Sequence, residues 1–251
     1  MIKVSFLPSI FTLLSLFIGF LALLQIIKGN YIKAIYFITG CVILDGFDGT
    51  VARLTKTESN FGLNLDSLVD AVAFGSVLSV MIYLWGFKNE FRQIGMVIAF
   101  IFLSAGVIRL ARFNILKEIK DSAANVFVGL PIPLAALAVS SVVLIWKKPL
   151  KEEIDVILFS LFVILIALLM VSNIKYRTLK KLDSRYNLLI LLMLAIMVAI
   201  LINFPTTTIP VLTSLYLISP IIFFFIGKFK KEKRFSSADT GIMIPGKKGK
   251  E

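Results

Sequence analysis

The sequence has no histidine and one cysteine in 251 residues. A lone thiol, Cys41, cannot close an intramolecular disulfide, and transition-metal sites built from Cys and His clusters are excluded. Any metal must be held by carboxylates and carbonyl oxygens, which select hard ions such as Mg²⁺, Mn²⁺ or Ca²⁺. Charge is scarce as well: 17% of residues are charged, where a soluble domain carries about 25%. With 58% hydrophobic residues and a mean hydropathy of +0.93, a water-exposed globular fold is excluded and the chain reads as an integral membrane protein.

What it has instead is long apolar runs. Separated by short polar breaks, they predict eight spans: Phe6 to Ile27, Tyr31 to Arg53, Gly62 to Gly86, Phe91 to Leu116, Leu130 to Trp146, Ile154 to Asn173, Tyr186 to Phe204, and Pro210 to Gly227. The runs are continuously apolar, without the alternation of a membrane barrel, so the fold class is all-α. The first run follows Lys3 like a signal peptide but is long and lacks a small-residue cleavage site, so it is kept as a span. Residues 1–227 form the transmembrane domain, and the basic, Gly- and Ser-containing tail 228–251 is expected to be disordered. Trp85 and Trp146, near span ends, are expected to be interface anchors.

With eight spans, 18 of the 27 Lys and Arg residues flank the membrane on the side of both termini, seven flank it on the other, and Arg109 and Arg112 lie inside span four. The richer side is expected to be cytoplasmic, in the cell membrane. The net charge of +12 therefore reads as topology and contact with anionic membrane lipids; no nucleic acid is expected, because the basic segments carry no stacking platform.

Four of the 15 acids stand inside spans two and three: Asp45, Asp48, Asp66 and Asp70. One central Asp costs about 2.5–3.5 kcal/mol on insertion scales, so four call for a cavity, an ion or a reaction site; Arg53 alone cannot neutralise them. On helices, Asp45 and Asp48 (i, i+3) share a face, and so do Asp66 and Asp70 (i, i+4). Two such helices face to face would gather oxygen ligands for one or two hard divalent ions, and two ions about 3.5–4 Å apart are the usual clamp on attacking and leaving oxygens in phosphoryl displacement. Gly49, Ala52 and Gly62 each lie four residues from an acid and would let a bulky ligand approach the backbone, although small residues also serve plain helix packing. Arg53 could hold phosphate or snorkel to the interface.

Written out, Asp45-Gly46-Phe47-Asp48-Gly49-Thr50-Val51-Ala52-Arg53, eight residues, then Gly62-Leu63-Asn64-Leu65-Asp66-Ser67-Leu68-Val69-Asp70 follows DxxDGxxAR-x8-GxxxDxxxD at every specified position. This resembles the signature of the CDP-alcohol phosphatidyltransferases. The resemblance covers residues 5 to 175 and implies a six-helix core and a homodimer; the two further helices read over 186–227 carry no motif of the family. It also implies two divalent metal ions, Mg²⁺ or Mn²⁺, on Asp45, Asp48, Asp66 and Asp70. Gly49, Ala52, Arg53 and Gly62 would line the CDP-lipid site, and Asp70 would be the general base.

Arg109-Leu110-Ala111-Arg112-Phe113-Asn114, with Phe127-Val128-Gly129-Leu130-Pro131-Ile132-Pro133, resembles the pattern of the phosphatidylserine synthase branch. Leu7-Pro8-Ser9-Ile10-Phe11-Thr12 is similar to its opening and adds Thr12 to the CDP-lipid site, with Ser9 where the branch often has Asn. The implied reaction joins a CDP-lipid, CDP-diacylglycerol or CDP-archaeol, to L-serine with release of CMP. Arg109 and Arg112, one turn apart, together with Asn114 would bind the serine carboxylate or a phosphate; Arg112 could equally snorkel, and the Gly-Leu-Pro-Ile-Pro run could be a rigid turn. Rival readings are the same chemistry on glycerol 3-phosphate or inositol phosphate, a membrane prenyltransferase, against which the DGxxAR spacing argues, and a divalent cation transporter.

Overall fold

The computed structural model describes residues 6–55, 60–87, 91–119, 126–177, 201 and 203–220; side chains at 6–8, 48–55, 117–119, 126–127, 175 and 177 are not described. The elements are α1 (Phe6–Ile27), α2 (Tyr31–Thr55), α3 (Asn60–Asp70), a π-helical segment (Ala71–Ser76), α4 (Val77–Gly86), α5 (Arg92–Ile119), β1 (Val126–Val128), α6 (Ile132–Trp146), α7 (Glu153–Val171) and β2 (Lys175–Arg177). A further helix, α8, covers residues 205–220. Among the described residues the protein is all-α apart from β1 and β2, a three-residue antiparallel pair in which Phe127 is registered with Tyr176.

Among the described residues, four stretches are long and apolar enough to cross a membrane: Ser9–Ile27, Asn60–Gly86, Arg92–Leu116 and Glu153–Val171. Spans one to six as read from the sequence coincide with α1, α2, the α3–π–α4 rod, α5, α6 and α7 to within three residues at each end. Span seven to residue 200, span eight beyond 220, and the tail 228–251 lie outside the described residues.

Helix α1 turns its bulk outward. On α1, Ile10, Leu13, Phe17 and Phe20 are exposed, while Ser9, Thr12, Ser15, Gly19, Ala22 and Ile26 form the buried stripe. With hydrocarbon outside, burial of large side chains drives nothing, and small or polar residues make the helix contacts. The α1–α2 pair shows it: Cys41 Sγ donates to the Ser15 carbonyl at 3.3 Å and Ser15 Oγ to the Cys41 carbonyl at 3.5 Å. A Cβ on Gly19 would stand 3.0 Å from that of Ala73, so α1 lies directly against the π segment.

Phe74, Leu78, Met81, Ile82 and Trp85 of the rod are buried in one core cluster with Phe102 of α5 and Ile132 and Val139 of α6. Trp85 corrects the expectation of an interface anchor: it is fully buried and meets Phe159 edge-to-face, ring centroids 5.2 Å apart. Position near a span end did not decide its place, because α7 covers the end of α4. Trp146 is half exposed at the end of α6.

Candidate active site

Asp45 on α2, and Asp66 and Asp70 on α3, come from two different helices. One carboxylate oxygen from each lies within 4.8 Å of the others, with Asp70 buried and Asp45 and Asp66 half-buried. The i, i+4 spacing puts Asp66 and Asp70 on one face of α3, and on that face the carboxylates meet Asp45 of α2. The donor set fits a hard divalent cation: three carboxylate oxygens, no nitrogen or sulfur, in a partly desolvated setting where like charges need a counter-ion. The side chains of Asp48, Gly49, Ala52 and Arg53 lie outside the described residues. Gly62 is half-buried one turn before Asp66.

The π segment starts at the residue after Asp70. Such a wide turn inserts one residue into the helix and is common at functional sites, because it changes the phase of the side chains on either side. Here it separates the carboxylate face of α3 from the apolar face of α4. Ser76 Oγ donates to the Ala71 carbonyl at 3.3 Å, supporting the widened turn. Nothing in the apolar pattern marks it, since period alone does not distinguish 27 residues of α-helix from the same run with one inserted turn.

Helix α5 supplies the cation. Arg109 is 7% exposed, with Asp70 and Asp45 the carboxylates whose charge acts on it. Its Cζ stands 5.7 Å from the Phe113 ring centroid, one turn on. Asn114 pairs with Ser67, the neighbour of Asp66: Nδ2 lies 3.0 Å and Oδ1 3.1 Å from the Ser67 hydroxyl. Thus Arg109 and Asn114 join the carboxylate centre. Ser67 was not singled out by the sequence, although it sits inside the acidic motif. Thr12 is buried on the inner stripe of α1.

Arg112 takes a different direction from Arg109. Its Nη1 donates to the Val171 carbonyl at 3.1 Å and the Ser172 carbonyl at 3.5 Å, and its Nη2 to Asn173 Oδ1. The same helix end receives the Gly129–Leu130 strand exit: Leu130 N–H donates to the Leu169 carbonyl at 3.0 Å and Gly129 N–H to the Ile174 carbonyl at 2.9 Å. The last carbonyls of a helix have no partner within it. Arg112, Gly129 and Leu130 supply partners at the end of α7, and the β1–β2 pair continues the clasp. Gly129 has φ +79°, and a Cβ there would run into the Met170 carbonyl, so only glycine closes this contact. Pro131 and Pro133 then start α6, where a missing N–H costs no helical bond.

The fold and site define a polytopic helical membrane protein with a carboxylate centre between two helices and a buried arginine beside it. The chain belongs to the CDP-alcohol phosphatidyltransferase family, whose sequence profile matches residues 5–225 and so extends through α8. It is 38% identical over 216 residues to the CDP-diacylglycerol–serine O-phosphatidyltransferase of Helicobacter pylori, covering 86% of this chain and 89% of that one. It is 32% identical over 172 residues to the archaetidylserine synthase of Methanothermobacter thermautotrophicus, 68% of this chain and 69% of that one. The CDP-diacylglycerol–serine O-phosphatidyltransferase of Methanocaldococcus jannaschii is 38% identical over 165 residues, 66% of this chain and 70% of the other.

Proposed function

We propose that this protein transfers the phosphatidyl or archaetidyl group of a CDP-lipid to the hydroxyl of L-serine and releases CMP. The observation that carries the reading is the convergence of Asp45, Asp66 and Asp70 beside the buried Arg109. The names of the relatives from both bacteria and archaea support serine as acceptor.

Asp45, Asp48, Asp66 and Asp70 would hold two divalent ions, Mg²⁺ or Mn²⁺. When bound, such ions neutralise charge developing on the phosphate oxygens and on departing CMP. Asp70 takes the proton of the serine hydroxyl. The serine oxygen then bonds to the lipid-side phosphorus as the phosphorus–oxygen bond to CMP breaks. Gly49, Ala52 and Gly62 leave room for the CDP head, Arg53 and Thr12 contact it, and Arg109 draws in the serine carboxylate. Asn114 orients α3 through Ser67. Arg112, fastened to the end of α7, keeps α5 in place so that Arg109 faces the carboxylates.

The same reading places both termini and the site on the cytoplasmic side of the cell membrane, by the excess of Lys and Arg there. It divides the chain into a core of about 5–175, two added helices over 186–227 and a basic tail 228–251, and it includes a homodimer.

The test is CMP release by the purified protein with CDP-lipid and a divalent ion, comparing L-serine, glycerol 3-phosphate and no acceptor. Serine-dependent release is expected. Release with glycerol 3-phosphate alone would keep the aspartate chemistry and discard serine. Divalent-ion uptake into vesicles without CMP release would favour a transporter.

A further inference from the structure

Gly19 of α1 stands where the two acid-bearing segments come together. A Cβ built on it would lie 3.0 Å from the Cβ of Ala73 and 3.3 Å from its Cα, and 3.8 Å from Sγ of Cys41. Ala73 belongs to the π turn, three residues after Asp70, and Cys41 belongs to α2, four residues before Asp45. On a helix such spacings share a face, so Gly19 touches both segments about one turn away from the carboxylates they carry. One turn before Gly19 on α1, Ser15 ties α2 down through its reciprocal bonds with Cys41, at 3.3 and 3.5 Å.

The contact with Ala73 also fixes rotation. The rod presents an outward stripe at Leu68, Val72, Ser76 and Val80, four residues apart: Leu68 is 66% and Val72 44% exposed, while residues 73–75 and 77–79 are buried. At about 100° per residue, three steps of four in a plain α-helix would carry the stripe about 120° round the axis; one inserted residue reduces this to about 20°. The π turn is that insertion, seen in the Val77 N–H bond to the Val72 carbonyl and the Ser76 Oγ bond to the Ala71 carbonyl, each five residues back. Were the turn to close to α-helix with its residues in place, α3 would swing about 100° against α4 and carry Asp66 and Asp70 off Asp45. The same slip would offer Gly19 a neighbour of Ala73, either Val72 or Phe74, and neither has room at so close an approach. Glycine on α1 and alanine in the turn thus form a pair that fits in one register only.

We infer that Gly19 is a positioning residue for the metal centre: seated against Ala73 and beside Cys41, it sets the separation and rotation that bring Asp66 and Asp70 to Asp45. Helix α1 thereby acts as the gauge between the two segments that supply the carboxylates. This inference rests on the reading of those carboxylates as metal ligands.

The experiment titrates purified full-length protein in detergent with Mn²⁺, reads the bound ion by electron paramagnetic resonance, and follows thermal unfolding beside it. In Gly19→Ala the added Cβ presses on the turn, and overpacking of this size corresponds to about fivefold or more in an equilibrium. Mn²⁺ affinity is expected to fall by about that factor. Ala73→Gly empties the seat and is expected to weaken Mn²⁺ binding as well, whereas the G19A/A73G double variant moves the methyl group from one helix to the other and is expected to bind more tightly than either single variant. Gly86→Ala crowds Phe159 at the far end of the rod and serves as the packing control, with lower thermal stability and Mn²⁺ affinity within about twofold of wild type. Folded G19A with wild-type Mn²⁺ affinity overturns the inference. So do losses that merely add in the double variant, and so does a G86A loss equal to that of G19A. If G19A does not fold, A73G and the double variant are judged by the same comparison. Wild type that binds no Mn²⁺ removes the metal reading, and this inference with it; wild type that binds and an indifferent G19A remove only the inference.

Discussion

Ser67 on α3 and Asn114 on α5 face each other with the hydroxyl 3.0 Å from the amide nitrogen, so the residue next to Asp66 is tied to the helix that carries Arg109. The acidic motif and the arginine motif, far apart in the chain, are joined by this polar contact. A contact of this kind is worth about 0.5–1.5 kcal/mol net, more in how it fixes orientation than in stability. Asn114→Ala and Ser67→Ala should each lower CMP release several-fold, and the double variant should lose little beyond either single one. A double-mutant cycle on activity and on thermal unfolding in detergent checks this; fully additive losses would show that the pair does not act as a unit.

Asp70→Asn keeps the shape of the side chain and removes the proton acceptor. Loss of a general base costs about 10²–10⁴ in rate, so turnover should fall by at least a hundredfold while CDP-lipid still binds. Rapid-quench measurement of CMP release, set beside equilibrium binding of the CDP-lipid, separates the two effects. Full activity in Asp70→Asn would remove the residue from the proton transfer.

Asp45 and Asp66 come from different helices, so either one should be needed for metal to bind with useful strength. Chelation should abolish activity, and excess Mg²⁺ or Mn²⁺ should restore it in the wild type. In Asp45→Asn and Asp66→Asn the ion concentration for half-activation should rise at least tenfold, since each removes one charged ligand of few. Activity that survives a strong chelator would exclude a divalent-ion requirement.

The clasp at the end of α7 yields a stability prediction. Arg112→Ala should destabilise by about 1–2 kcal/mol through the freed carbonyls of Val171 and Ser172, and Arg112→Lys should recover only part, because a single ammonium cannot reach the fork of acceptors. Gly129→Ala should be worse, as it combines a left-handed φ with a clash at the Met170 carbonyl. Thermal unfolding in detergent reads both. A Gly129→Ala protein as stable as wild type would mean that the Gly129–α7 contact contributes nothing.

Much of this protein was legible before any coordinates. Continuous apolar runs fix the number and type of the first six helices, because a backbone in hydrocarbon must satisfy its hydrogen bonds within the helix. The i, i+3 and i, i+4 spacing of the acids announces a carboxylate face, since helical period is local. What was not legible depends on contacts between distant segments. Trp85 looks like an interfacial tryptophan until α7 covers it. Arg109 and Arg112 look equivalent, one turn apart, yet the first turns to Asp70 and the second to the end of α7. The Gly129-Leu130-Pro131 run reads as a turn, and its partners on α7 lie 40 residues or so away in sequence by the register of the contacts.

The sequence by itself determined the membrane class, the helical rods and the carboxylate faces, because each follows from composition or from the period of a single helix, and it carries the acidic and arginine motifs whose resemblance points to the family. Only the tertiary structure decided that Asp45 meets Asp66 and Asp70, that a π turn follows Asp70, and that Tyr216 of the last helix stacks on Tyr176 of β2. In a bundle surrounded by hydrocarbon, no hydrophobic force selects which faces meet, and the choice falls to small residues, buried polar pairs and helix ends whose partners lie elsewhere in the chain.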